Sequence, residues 1–145
     1  MAKYKHPQEI LDKCTNFKDI KWFKPEEFKY PHLMDRDLLL ILDSVREHYG
    51  NPIYITDDYR PANINYGSKT SLHKYGRAVD IRSKHLSATN LYKLIENIMY
   101  IINLIMYRLH SKPGIELEID NSKDNKHIHI GLLADNKPSK LIIKC

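Results

Sequence analysis

Cysteine is scarce in this sequence, with only Cys14 and Cys145 among 145 residues. A disulfide framework and a cysteine-cluster metal knuckle are both excluded, and free thiols are the expectation. Long apolar runs are missing as well. The most apolar stretch, NIMYIINLIMY from Asn97 to Tyr107, contains Asn103 and follows Glu96. It falls short of the roughly 18 apolar residues that a membrane span needs and reads as a buried helix. The amino-terminal MAKYKHPQEILDKC has no apolar leader core, so the chain is expected to be made in the cytoplasm without an export or anchoring signal. There is no internal repeat and no low-complexity segment. The 23 basic residues, against 18 acidic ones for a net charge of +5, form no arginine-rich cluster and no basic–aromatic platform. They read as a solvated excess that suits an anionic polymer such as a cell wall, and neither nucleic acid nor membrane is an expected partner.

What remains is an ordinary globular composition, 42% hydrophobic and 28% charged, at a length that suits one monomeric domain over residues 1–145. HPQEILDKC reads as a short first helix opening near Pro7, and WFKPEEF as a turn with a short helix after Lys24-Pro25. MDRDLLLILDSVREHYGNP is the clearest helix. Asp35 takes the N-cap, Leu38, Ile41, Leu42, Val45 and Tyr49 follow helical spacing, and Gly50 stops it before Pro52. IYIT is a short strand, Asp57 to Leu72 a polar loop, and RAVDIR a half-buried strand with Ala78 and Asp80 on one face. Ser87 is placed to cap a long helix running to about Leu109, ended by Pro113-Gly114. The alternating runs IELEID and HIHIGLL, joined by NSKDNK, predict a hairpin, and KLIIK a final strand. The order predicts an α+β domain: a mostly antiparallel central sheet with helices packed on one face, leaving the other face to carry a site.

His127 and His129 stand two apart, so on a strand both point to one face while Ile128 and Ile130 take the other. Glu116, Glu118 and Asp120 alternate in the same way with Ile115, Leu117 and Ile119. A hairpin closed symmetrically across NSKDNK puts Glu118 opposite His129 and Asp120 opposite His127; a two-residue slip would put Asp120 opposite His129 instead. In TSLHKYGRAVDIRSK, His73 and Asp80 add two more donors, with Gly76 to turn the chain back between them and small Ala78 to leave room. His73, Asp80 and one histidine of the pair make three protein ligands, the number that catalytic zinc uses when its fourth position is kept open. A carboxylate on the facing strand is then placed to act as general base.

These motifs resemble the zinc D-alanyl-D-alanine carboxypeptidases and L-alanyl-D-glutamate endolysins, which share a fold with Hedgehog signalling domains. The family pattern Ser-x-His-x-x-Gly-x-Ala-x-Asp stands complete as Ser71, His73, Gly76, Ala78 and Asp80. A strand leading to Tyr-Arg appears as YITDDYRP, with Asn65 five residues beyond Arg60, and the downstream histidine strand as HIHIG. The resemblance covers residues 22–133 as a core, with 1–21 as a helical extension. It implies a Hedgehog/DD-peptidase-like fold and one Zn(2+) per chain, held by His73, Asp80 and His129. It implies catalytic roles for His127, beside the metal, and for Arg60, against negative charge on the scissile carbonyl oxygen. Asn65 and Arg60 would contact substrate, and Ser71 would hold the substrate or the Asp80 carboxylate. Glu118 is the best match to the family's acidic base. No carboxylate lies within the four residues before His129, so Asp120 and Asp124 are rivals.

The implied activity is zinc-dependent hydrolysis of peptidoglycan stem peptides or cross-links, of carboxypeptidase or endopeptidase type, as in a phage lysin that reaches the cell wall. The alternative is a zinc-binding structural or recognition module that has lost hydrolysis. A carboxylate beside the metal separates the two.

Overall fold

A computed structural model describes residues 3–61, 71–83, 88–105, 112–120 and 127–144. Ser87, Asn65, the NSKDNK connection with Asp124, the expected helix end near Leu109 and Cys145 lie outside these residues.

The described helices start and stop for local reasons. Helix α1, Gln8–Asp12, opens directly after Pro7. Helix α2, Arg36–Tyr49, is capped by Asp35, whose carboxylate accepts from the amides of Asp37 and Leu38 and so satisfies two otherwise orphaned donors. It ends at Gly50 in the left-handed region, at φ 73°. Leu38, Leu39, Ile41, Leu42 and Val45 form its buried stripe, each such side chain contributing about 1.5–3 kcal/mol when fully buried. Helix α3, Ala88–Ile105, packs against α2 and buries Leu94, Ile98, Ile101, Ile102 and Ile105. The short helix expected after Lys24-Pro25 is a single 3-10 turn, Pro25–Glu27.

Among the described residues the sheet has five strands: β1 (Ile53–Asp57), β2 (Ala78–Ser83), β3 (Pro113–Asp120), β4 (His127–Asp135) and β5 (Lys140–Lys144). Their order is β1-β2-β4-β3-β5, antiparallel throughout except for β5, which runs parallel to β3 at the edge. This is the expected mostly antiparallel α+β arrangement. Pro113 and Gly114 open β3 instead of only closing the helix. Proline is tolerated at a strand's first residue, where its missing donor costs least.

Alternation divides the sheet into two faces. Val79, Ile81, Ile115, Leu117, Ile128 and Ile130 join the residues of α2 and α3 in one buried cluster. Asp80, Glu116, Glu118, Asp120, His127 and His129 occupy the other face, half buried. Residues before Trp22 are fastened to this body. Asn16 donates to the carbonyls of Pro31 and Met34, Arg36 donates to those of Asn16 and Lys18, and Ile20 enters the core.

Candidate metal centre

The strand register builds the site. Across β2, β4 and β3, Asp80 faces His129 and His129 faces Glu118, and the row continues to Ile142 on β5. On the other side Asp57 faces Asp80, after a break in register between Ile55 and Asp57. Such an irregularity re-aims the end of β1 towards the site. The hairpin therefore has the register expected for symmetric closure, with Asp120 opposite His127, and not the two-residue slip.

His73 reaches this row from a 3-10 turn, Leu72–Tyr75, that ends at Gly76 in the left-handed region, at φ 68°. The approach leaves no room for a side chain: a Cβ on Gly76 would lie 1.9 Å from the carbonyl oxygen of Leu33. The Gly76 carbonyl in turn accepts the amide of Asp35 at 2.8 Å. Arg77 locks the turn to its surroundings. Its guanidinium donates to Asp35 at 2.9 Å and to the carbonyls of Leu132 and Leu133. The motif loop, the cap of α2 and β4 are thus joined through one side chain.

His73, Asp80 and His129 offer ligand atoms that all lie within 4.8 Å of one another. Asp80 Oδ1 is 3.3 Å from His73 Nε2 and 3.0 Å from His129 Nδ1. A tetrahedron with zinc–nitrogen bonds of about 2.0 Å has edges of about 3.3 Å, so both separations match one shared ion. The imidazoles converge at a 56° tilt with centroids 5.1 Å apart. Two nitrogens and one carboxylate oxygen form a donor set that zinc accepts.

The outward nitrogens of both rings are held. His73 Nδ1 donates to the carbonyl of Asp58 at 2.8 Å, which leaves Nε2 turned towards Asp80. His129 Nε2 is 2.7 Å from Glu116 Oε1, which leaves Nδ1 towards the same carboxylate. Burial opposes charge at Asp80, but the hydrogen bonds from His129 and His73, and their charge, hold its carboxyl well below the usual range. Burial likewise opposes charge at His129, yet Asp80 and then Glu116 raise its pKa. Asp58 is pushed up to about 6, by burial first, although its carboxylate accepts the amide of Lys29.

The remaining residues singled out by sequence are distributed around this centre. Arg60 is buried and donates from Nη2 to Asp57 at 2.7 Å, and its own amide donates to the carbonyl of His73. Ser71 caps the 3-10 turn, its hydroxyl accepting the amide of His73. His127 shares the site face two residues from His129. Glu116 and the Asp58 carbonyl were not singled out. The signal for Glu116 was its place on the same face as Glu118, one diagonal step from His129. No signal in the sequence marked a backbone carbonyl. Among the described residues no helix is long and apolar enough to cross a membrane.

No curated protein sequence and no solved structure matches the chain. A family model does: Peptidase M15, over residues 6–111. The match starts inside the segment read as an extension and spans Arg60 and the whole motif from Ser71 to Asp80. It stops before β3 and β4, so His129 joins the centre through the sheet and not through the matched segment. With well over half of its length matched and a His/Asp/His cluster of the kind zinc peptidases use, the chain belongs to the peptidase M15 family.

Proposed function

We propose that this chain is a zinc peptidase that hydrolyses peptide bonds in the stem peptides or cross-links of peptidoglycan. The observation that carries the reading is the convergence of His73, Asp80 and His129 on the open face of the sheet, with a carboxylate in the facing register position.

His73 Nε2, Asp80 Oδ1 and His129 Nδ1 hold the metal. Zinc, when bound, supplies a Lewis acid that polarises the scissile carbonyl and acidifies water. Glu118 faces His129 across the ladder, where Cβ atoms stand about 5 Å apart. Its carboxylate takes the proton of the attacking water and returns it to the leaving amine. Arg60, oriented by Asp57, offsets the negative charge that develops on the carbonyl oxygen. His127 contacts the substrate beside the metal, and Ser71 acts by fixing the backbone of His73. Asn65 is proposed to bind substrate as well. The chain acts as a monomer, its partner is the wall peptide and not nucleic acid or membrane, and its place of action is the cell wall.

The test is digestion of purified peptidoglycan by zinc-loaded protein, with products identified by mass. Wild type is expected to release stem-peptide fragments whose ends reveal the bond cut, and Glu118→Ala to abolish release. Release that survives Glu118→Ala but not Asp120→Ala would move the base to Asp120. One tightly bound zinc with no release from walls of several chemotypes would favour a non-catalytic zinc module.

A further inference from the structure

Glu116 is two residue pairs along the ladder, one row on the site face, from Glu118, which faces His129. Its facing residue on β4 is Gly131, and Ala78 faces Gly131 from β2. This row of the site face therefore holds no side chain at its centre and only a methyl group beside it. Glu116 leans across the gap and places Oε1 2.7 Å from His129 Nε2. Gly131 gives the ring room on this side, since a Cβ there would lie 3.3 Å from Nε2 and 2.6 Å from Leu72 Cδ1. Both partners are largely sheltered, with side-chain exposures of 21% for Glu116 and 12% for His129.

A carboxylate only accepts hydrogen bonds, so this contact places the ring proton on Nε2 and leaves Nδ1 for the metal. The arrangement at His73 is the mirror of it. There a backbone carbonyl takes the Nδ1 proton and frees Nε2. The two ligand rings thus present opposite nitrogens to Asp80, and each is fixed from behind by an acceptor of its own.

We propose that Glu116 is a positioning residue of the metal centre. It orients the His129 ring, selects its Nε2–H tautomer and strengthens Nδ1 as a donor. The proposal rests on the reading of His73, Asp80 and His129 as zinc ligands. Glu118, which faces His129 directly, has the separate task of the base. Outer partners of metal-bound histidine typically account for about 10- to 100-fold in metal affinity.

The experiment is a zinc competition titration against a chromophoric chelator, at mildly alkaline pH where proton competition is small. Wild type, Glu116→Gln, Glu116→Ala and His73→Ala are compared, with circular dichroism to check folding. The His129 ring protons are followed by NMR in the zinc-loaded proteins. Glu116→Ala is expected to lose about 10- to 100-fold in zinc affinity and Glu116→Gln less, because its amide oxygen still accepts while the charge is gone. Wild type is expected to show a slowly exchanging Nε2–H resonance that vanishes in Glu116→Ala. A purely structural loss would leave that resonance in place. Wild-type affinity and an intact resonance in Glu116→Gln and Glu116→Ala would overturn the proposal, and the near-isosteric Gln variant keeps this outcome accessible if Ala unfolds. Zinc affinity untouched by His73→Ala would instead remove the ligand set, and the proposed function with it.

Discussion

Two glycines adopt nearly the same left-handed conformation but meet different surroundings, and substituting each by alanine separates backbone strain from steric exclusion. Gly50, at φ 73°, would carry a Cβ with nothing within 4 Å. Gly50→Ala should therefore cost only the left-handed penalty, about 1 kcal/mol. Gly76, at φ 68°, would put its Cβ 1.9 Å from the Leu33 oxygen, 3.0 Å from the Leu33 carbonyl carbon and 3.3 Å from Met34 Cα. These neighbours are backbone and have no rotamer to yield. Relief requires the Leu33–Met34 segment to move by more than ~1 Å, because oxygen–carbon contacts below 3.0 Å are essentially not seen. That movement pulls on the Asp35 amide, which the Gly76 carbonyl holds at 2.8 Å. Adding the strain to an overpacking cost of about 1–3 kcal/mol and a weakened hydrogen bond of about 1 kcal/mol gives roughly 3–5 kcal/mol for Gly76→Ala. This is a large share of a domain stability of about 5–15 kcal/mol. Urea unfolding followed by circular dichroism and Trp22 fluorescence measures both variants. Zinc affinity should also fall in Gly76→Ala, since the amide of residue 76 donates to the carbonyl of His73. A Gly76→Ala midpoint equal to that of Gly50→Ala would refute the close approach to Leu33 and the account of the motif glycine built on it.

Three further perturbations follow from the same geometry. Zinc at 100 times its Kd should stabilise wild type by about 2.7 kcal/mol and leave His73→Ala unmoved, which thermal or urea unfolding with and without metal reads directly. Arg77→Ala and Arg77→Lys should both destabilise by about 2 kcal/mol, because a lysine ammonium cannot span Asp35 and the carbonyls of Leu132 and Leu133; recovery by lysine would show that charge alone suffices. For Asp58 the folded pKa, about 6, lies above its ordinary 3.8, so the group favours folding at low pH and loses about 3 kcal/mol of that contribution as pH rises from 3.8 through 6. Zinc-free Asp58→Asn should consequently match wild type near pH 4 and exceed it in urea midpoint above pH 6; no gain there would mean that the hydrogen bonds to Asp58 outweigh its burial.

Much of the fold could be read from short-range signals. The ends of α2 follow from Asp35 and Gly50, each of which acts on the backbone within a turn of itself. For the β3–β4 pair alternation excludes a one-residue slip, which would bury three carboxylates, but not a two-residue slip; the register found is the one that closes the hairpin symmetrically. Pro113-Gly114 was read only as a helix stop because the same pair also suits the start of a strand, and local chemistry does not separate the two. At the end of β1, adjacent carboxylates received opposite treatment. Asp57 pairs with Arg60 whereas Asp58 turns inward to the Lys29 amide, a division set by a break in strand pairing that no local pattern encodes.

The candidate site shows the same divide at finer scale. His73, Asp80 and Gly76 lie within one short stretch, so their spacing carried the geometry with it. Spacing alone leaves His127 and His129 as alternatives and the family resemblance selects His129; it meets Asp80 because β4 lies between β2 and β3, each of which contributes a carboxylate to the row that crosses it. Glu116 could not be placed, since its contact rests on a diagonal lean that facing-pair reasoning leaves out. Facing pairs name the residues that share a row. Which carboxylate touches the imidazole depends also on how a side chain leans between rows, as Glu116 does. Gly131 borders the same ring, its position for a Cβ lying 3.3 Å from Nε2. Gly131→Ala should therefore weaken zinc binding by crowding His129 Nε2, 3.3 Å from the new Cβ, while costing little stability, because its closest neighbour, Leu72 Cδ1, is the tip of a flexible side chain. Chelator competition paired with urea unfolding distinguishes this from general damage: equal losses in both would mean that the glycine serves packing, and a loss confined to zinc affinity that it serves the histidine.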